Sequence, residues 1–255
     1  MNTPINLSFN LQDLIHVRDM LDTPLFTIVL ISFAAIILIV SGIKNKASLG
    51  ILLVAALIFI AARLGLTSFA QMGFVPPENW PNTVLLGLVV GTGLSFLSIT
   101  VIQPLFEQLT KRRHDVSIAE SVRGNPKQLI TWLVVTWTLV AFGEEILFRG
   151  FLISQLITLM GTSMIALVMN VVLNSIIFGL AHAYQGRSGV WSTGFIGACL
   201  CSCYILSGYN LWLPILVHGA INTVELILMS RGADIRLREL IWKRHLQPAN
   251  LPDQS

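Results

Sequence analysis

Long apolar segments dominate this chain and restrict it to a small set of folds. Residues 25–43, for example, read LFTIVLISFAAIILIVSGI and contain no charged side chain. A run of about 18 apolar residues is long enough to cross a bilayer as an α-helix. Only 11% of all residues are charged, against about 25% in an ordinary soluble domain. The sequence therefore predicts an all-α fold, a polytopic transmembrane helical bundle located in the cell membrane.

The apolar runs and the turns between them predict about eight membrane segments, with seven full crossings as the alternative. The segments cover residues 25–43, 47–62, 83–103, 128–148, 150–161, 163–182, 190–207 and 211–229. Residues 1–127 are predicted to form a variable N-terminal membrane region with an amphipathic start, three spans and a basic loop. Gly87 and Gly91 have the GxxxG spacing that favours close packing between membrane helices.

Basic residues cluster in the loop 104–127 and in the tail 230–255. Such clusters mark the cytoplasmic side of a membrane protein, so no nucleic-acid partner is expected from the net charge of +3. Eight full crossings would place the loop and the tail on opposite sides. If the short segment 150–161 does not cross fully, the tail returns to the cytoplasmic side.

Several ionisable side chains interrupt the apolar runs of residues 128–229. Charged groups within a span cost roughly 2.5–3.5 kcal/mol each on insertion scales and are functional candidates by default. They are Glu144, Glu145, Arg149, His182, His218 and Glu225. This region is therefore predicted to hold the functional residues of the chain.

The two adjacent glutamates have different local surroundings. Glu145 and Arg149 are four residues apart on one helix, so they share a face and can pair. Glu144 is rotated by about 100° from Glu145 and has no basic partner nearby in the sequence. Its carboxylate needs a partner from another helix, a bound water or a proton, which favours a functional role.

Two histidines follow in the later spans. His182 ends the segment FGLAH, in which Phe178 lies one turn earlier, and His218 begins HGAIN, in which Asn222 lies one turn later. A single membrane histidine is usually an interhelical hydrogen-bonding group. Two histidines, an asparagine and an acid together supply a general base, a polarising group and donors for a developing oxyanion.

These residues resemble the motifs of a known family. EEILFRG fits EExxxR, FGLAH fits FxxxH and HGAIN fits HxxxN, in that order, as in the CPBP intramembrane proteases, also called the Abi or type II CAAX prenyl endopeptidase family. The resemblance implies a helical bundle around a hydrophilic cavity and a glutamate-dependent peptidase.

The same resemblance implies a role for each motif residue. Glu144 and His182 would hold and activate a water, and His218 and Asn222 would stabilise the oxyanion. Glu145, Arg149 and Phe178 would support them. No cofactor is implied. The substrate would be a peptide or protein delivered by the lipid bilayer, such as a prenylated CAAX protein, a bacteriocin-like peptide or a membrane-anchored regulator.

Three alternatives remain open from the sequence. A zinc site on Glu144, His182 and His218 has a known type of ligand set, although HExxH is absent. The same polar cavity could serve a non-proteolytic immunity, scaffold or transport protein. Glu225 lies outside the motifs and has two possible roles. Its side chain either extends from the helix end to water or to a basic loop, or it lines the cavity.

Overall fold

A computed structural model describes residues 23–115 and 117–241. The predicted amphipathic start, residues 1–23, lies outside this part of the chain except for its last residue. The described residues form helices joined by turns and loops, and no strand, as the predicted all-α bundle requires. Six of their helices are long and apolar enough to cross a membrane, and a seventh, shorter one has 17 residues. The chain is a multi-pass membrane protein.

The helices are numbered here in chain order. They are α1 (Pro24–Ile43), α2 (Ala47–Arg63), α3 (Trp80–Leu97), α4 (Gln103–Thr110), α5 (Ser117–Val122), α6 (Pro126–Val135), α7 (Ser154–Met160), α8 (Met164–Ala181), α9 (Gly186–Leu206), α10 (Trp212–Ser230) and α11 (Ala233–Ile241). A π-helical turn, Ser98–Ile102, joins α3 to α4 without a break. A short 3₁₀ turn, Ala183–Gln185, separates α8 from α9.

One helix of 35 residues runs from Pro126 to Met160. It joins α6 to α7 through two π-helical segments, Thr136–Glu144 and Ile146–Ile153. The predicted separation of 128–148 from 150–161 is therefore wrong. No proline lies between these segments, and Gly150 keeps a helical backbone while it packs closely against Leu211 and Met72, so nothing ends the helix there.

A single helix over residues 126–160 allows the basic loop and the tail to lie on the same side of the membrane. If residues 126–160 cross once, the six long apolar helices and α2 would give seven crossings. Contacts between the two segments agree with this count, since Arg123 pairs with Asp234 of α11 at 3.5 Å and Glu107 of α4 pairs with Arg238. The loop and the start of the tail lie at the same end of the bundle.

Two glycines set a close helix contact next to the site. Helices α3 and α10 pack along Gly87 and Gly91, as the GxxxG spacing predicts. A Cβ on Gly91 would lie 2.5 Å from the Val217 carbonyl oxygen, and one on Gly87 would lie 2.5 Å from the Leu216 side chain. This contact fixes α10 next to the position of His218.

Candidate active site

Glu145 lies at the centre of a buried charged cluster. Its Oε1 accepts a hydrogen bond from Arg149 Nη1 at 2.9 Å and another from His218 Nδ1 at 2.7 Å. Arg149 also donates from Nη2 to the Gly197 carbonyl oxygen at 3.0 Å. Glu145 and Arg149 are completely buried. The i, i+4 pair that the sequence predicts is present. Its hydrogen bonds also connect it to helix α9 and to the histidine of α10.

The bond to Glu145 fixes the hydrogen position on His218. A carboxylate only accepts hydrogen bonds, so Nδ1 carries the hydrogen whatever the charge of the ring. Nε2 makes no hydrogen bond to the described residues and is left to act on another group. His218 is therefore oriented by an acid from a different helix.

Glu144 has a separate partner. Its Oε2 lies 3.7 Å from His182 Nε2, and both side chains are buried. His182 Nδ1 lies 2.8 Å from the Phe178 carbonyl oxygen, which can only accept, so Nδ1 carries a hydrogen. In the neutral ring, Nε2 then presents its lone pair towards Glu144. The 3.7 Å gap is too long for a direct hydrogen bond but suits a bridging water.

The backbone of the 126–160 helix helps to turn both glutamates inward. The two π-helical segments end and begin on either side of Glu145. A π turn closes its hydrogen bond over five residues, so successive side chains rotate by less than in an α-helix, and such turns are frequent at functional sites. Glu144 and Glu145 can therefore both contact groups of the bundle interior.

The Phe178 ring joins the two charged pairs. Its centroid lies 4.7 Å from that of the His182 ring, which is tilted by 49°, and 6.3 Å from that of the His218 ring, which meets it edge to face. The Arg149 guanidinium carbon lies 4.4 Å from the same ring centroid, within the range of a cation–π contact. The structure thus brings Glu144, Glu145, Arg149, His182 and His218 around one aromatic side chain.

Asn222 and Glu225 follow His218 on α10. Both are half-buried, and Asn222 makes no hydrogen bond to the described residues. The Glu225 carboxyl lies beside the Ser98 hydroxyl in the π turn of the α3–α4 helix. The role of Glu225 stays a prediction.

A small cavity opens beside Glu144 and His182. Its walls come from the site and from the first two helices: Leu38, Ser41, Ala47, Ile51, Glu144, Phe148, Ala181 and His182. Helix α1 approaches closely because Gly42 faces the Ala181 carbonyl oxygen, where a Cβ would lie 2.0 Å away. The N-terminal half thus borders the acid–histidine pair without placing an ionisable group in the cavity wall.

Four buried contacts could not be predicted from the sequence. They are the hydrogen bond from His218 to Glu145, the acceptor role of Gly197, and Asn174, which donates to the Phe148 carbonyl oxygen at 2.7 Å and accepts from Cys201. Each contact joins residues of different helices. Asn174 had a sequence signal, since it is an amide within an apolar span, but periodicity gave no partner for it.

The zinc hypothesis needs three ligands that meet at one point. Among residues 23–115 and 117–241, no group of three His, Cys, Asp or Glu side chains is arranged to hold a metal ion. His218 binds Glu145 through Nδ1, which leaves Nε2 free. The zinc hypothesis therefore stays a prediction.

Comparison with known proteins supports the motif assignment. Residues 126–224 match the family model described as type II CAAX prenyl endopeptidase Rce1-like. No curated protein and no solved structure matches the chain. The matched residues include all three motifs. Residues 126–224 of this chain are thus similar to the Rce1-like type II CAAX prenyl endopeptidases, a protease family, in agreement with the resemblance carried by the motifs.

Proposed function

We propose that the protein is an intramembrane endopeptidase in which Glu144 and His182 activate a water molecule. The observation that carries this proposal is the 3.7 Å separation of Glu144 Oε2 and His182 Nε2. A water between them can donate one hydrogen bond to the carboxylate and another to the ring nitrogen. Glu144 makes no hydrogen bond to the described residues, so its carboxylate is available to accept a proton.

The motif assignment gives the remaining steps. Glu144 takes a proton from the water while the water oxygen attacks the carbonyl carbon of the scissile peptide bond. The Asn222 amide donates to the oxyanion of the tetrahedral intermediate, and Nε2 of His218 does so when it carries a hydrogen in addition to the one on Nδ1. The intermediate then breaks its C–N bond, and the proton held by Glu144 passes to the leaving amine.

Glu145, Arg149 and Phe178 support this chemistry without touching the reacting atoms. Glu145 holds the ring of His218 through Nδ1, and Arg149 neutralises the carboxylate. Phe178 contacts both histidines and positions His182 through its carbonyl oxygen. Small changes in this support are expected to lower the rate, because catalytic groups must be held in a productive geometry.

The family description makes a prenylated CAAX peptide the first substrate to test. Purified wild-type protein in lipid vesicles is compared with Glu144→Gln and with Glu120→Gln, which removes an exposed acid from the basic loop. Glu144→Gln should lower the cleavage rate by about 10²–10⁴-fold, as expected for loss of a general base. Glu120→Gln should cleave like the wild type.

A proteomic comparison extends the test to unknown substrates. Membranes from cells with the wild-type protein are searched for new C-terminal fragments that cells with Glu144→Gln lack. If the two membrane proteomes are the same and Glu144→Gln preserves the cellular phenotype, the protein acts by binding, and the proposed hydrolysis is wrong.

A further inference from the structure

Glu107 is a buried acid that the proposed chemistry does not use. It lies in α4 with only 4% of its surface exposed. Its Oε1 accepts the backbone N–H of His114 at 3.0 Å, and its Oε2 accepts a very short hydrogen bond from the Arg238 guanidinium. One carboxylate therefore connects the loop after α4 to helix α11.

The same loop is bonded to the turn that follows His182. The Asp115 N–H donates to the Gln185 carbonyl oxygen at 3.2 Å, and the Gln185 N–H donates to the His182 carbonyl oxygen at 2.9 Å. Within this turn the Tyr184 ring lies 5.7 Å from the His182 ring. A continuous set of hydrogen bonds thus runs from Arg238 to the backbone of His182.

The His114 side chain packs the loop against α9. Its Nδ1 lies 3.5 Å from Ser192 Oγ, and its ring lies against Gly189, where a Cβ would come within 3.4 Å. Burial, assisted by the positive charge of Arg238, lowers the pKa of His114 to about 4. The ring is neutral at pH 7 and stays in this contact as an uncharged group.

We propose that Glu107 is a positioning residue that joins α11 to the loop 111–115 and so fixes the turn that carries His182. This inference rests on the proposed function, in which His182 shares a water with Glu144. Loss of the Glu107 contacts releases the loop, and the Asp115–Gln185 hydrogen bond weakens. The His182 ring then loses its fixed distance from Glu144, although no group that touches the substrate has changed.

Two measurements on the full-length protein in vesicles test the proposal. Hydrogen exchange, read by mass spectrometry, reports the loop amides of His114 and Asp115. Steady-state kinetics separate kcat from KM. The test variants are Glu107→Gln and Arg238→Gln. The matched control is Arg123→Gln, which removes the other ion pair of α11, at 3.5 Å to Asp234, without touching the loop 111–115.

Arg238→Gln is the decisive variant. It leaves the loop 111–115 itself unchanged, and Arg238 is connected to the loop amides through Glu107. It should raise exchange of the loop amides by about tenfold or more, as local opening becomes easier. It should also lower kcat by about 10–100-fold, the effect of a misplacement near 1 Å. KM should stay within about twofold, because binding is not the step affected. Arg123→Gln should change none of these quantities.

The two parts of the proposal fail in different ways. Unchanged loop exchange in Arg238→Gln would overturn the connection through Glu107. Faster exchange with an unchanged kcat would show that the connection exists but does not position His182, which also overturns the proposal. A wild-type protein that cleaves no peptide would refute the proposed function, and the exchange comparison would still decide whether Glu107 holds the loop.

Discussion

The two adjacent glutamates are expected to respond in opposite ways to the same substitution. Glu145→Gln leaves the fully buried Arg149 guanidinium without its counter-ion and removes the charged acceptor of His218. Breaking a buried ion pair by changing one partner costs about 3–5 kcal/mol. At about 2–4 °C per kcal/mol for a chain of this size, the melting temperature should fall by about 6–20 °C.

Glu144→Gln has no such cost. Its carboxylate makes no hydrogen bond to the described residues, and its nearest charged partner, His182, lies at 3.7 Å. A buried carboxylate without a hydrogen-bond partner is itself unfavourable, so the free energy of unfolding should stay the same or rise by about 1 kcal/mol. The variant should therefore be stable and inactive.

The cysteines of α9 provide the assay. Cys201 is completely buried, and Cys199 and Cys203 are partly buried, so a thiol-reactive fluorogenic dye labels them as the bundle unfolds. Melting curves and cleavage rates of the wild type and of the two glutamine variants are measured in the same detergent. A stable, inactive Glu145→Gln beside an unstable Glu144→Gln would show that the roles of the two carboxylates are reversed.

Three further predictions follow from packing, titration and metal dependence. Gly91→Ala should destabilise the protein by about 1–3 kcal/mol, the usual range for overpacking. The control Gly93→Ala should not destabilise it, because the Cβ position of Gly93 faces open space. Equal melting temperatures of the two variants would refute the close α3–α10 contact. Because the pKa of His114 is lowered to about 4 from 6.5, the unfolded state binds more protons between these values, and stability should fall as pH decreases from 6.5 to 4. His114→Gln should flatten that decrease in a melting series, and an unchanged slope would contradict the burial of the ring. Cleavage should persist after treatment with a metal chelator; a loss of activity that only zinc restores would refute the metal-free mechanism.

The class of fold could be predicted from local sequence patterns. The long apolar runs fix helices and membrane location, because a backbone in lipid must satisfy its hydrogen bonds within each helix. The Glu145–Arg149 pair and the close packing at Gly87 and Gly91 could also be predicted, since each depends on residues three or four positions apart. The family motifs then singled out Glu144 and the two histidines.

The number of membrane segments could not be read from the same patterns. The predicted boundary between segments 128–148 and 150–161 falls at Arg149. In the structure that arginine is neutralised by Glu145 and by the Gly197 carbonyl oxygen, so the helix continues through it. Packing against α9 supplies the carbonyl partner, which the sequence pattern does not give.

The sequence by itself determined that the chain is a helical membrane protein and that an acid, two histidines and an asparagine lie in successive spans. The tertiary structure alone decided that His182 lies beside Glu144 while His218 lies on Glu145, and that Glu107 meets Arg238. The reason is physical: helical periodicity relates residues within one helix, whereas these contacts join residues up to 131 positions apart. Their partners are set by how helices pack, which close glycine contacts and buried charges determine together.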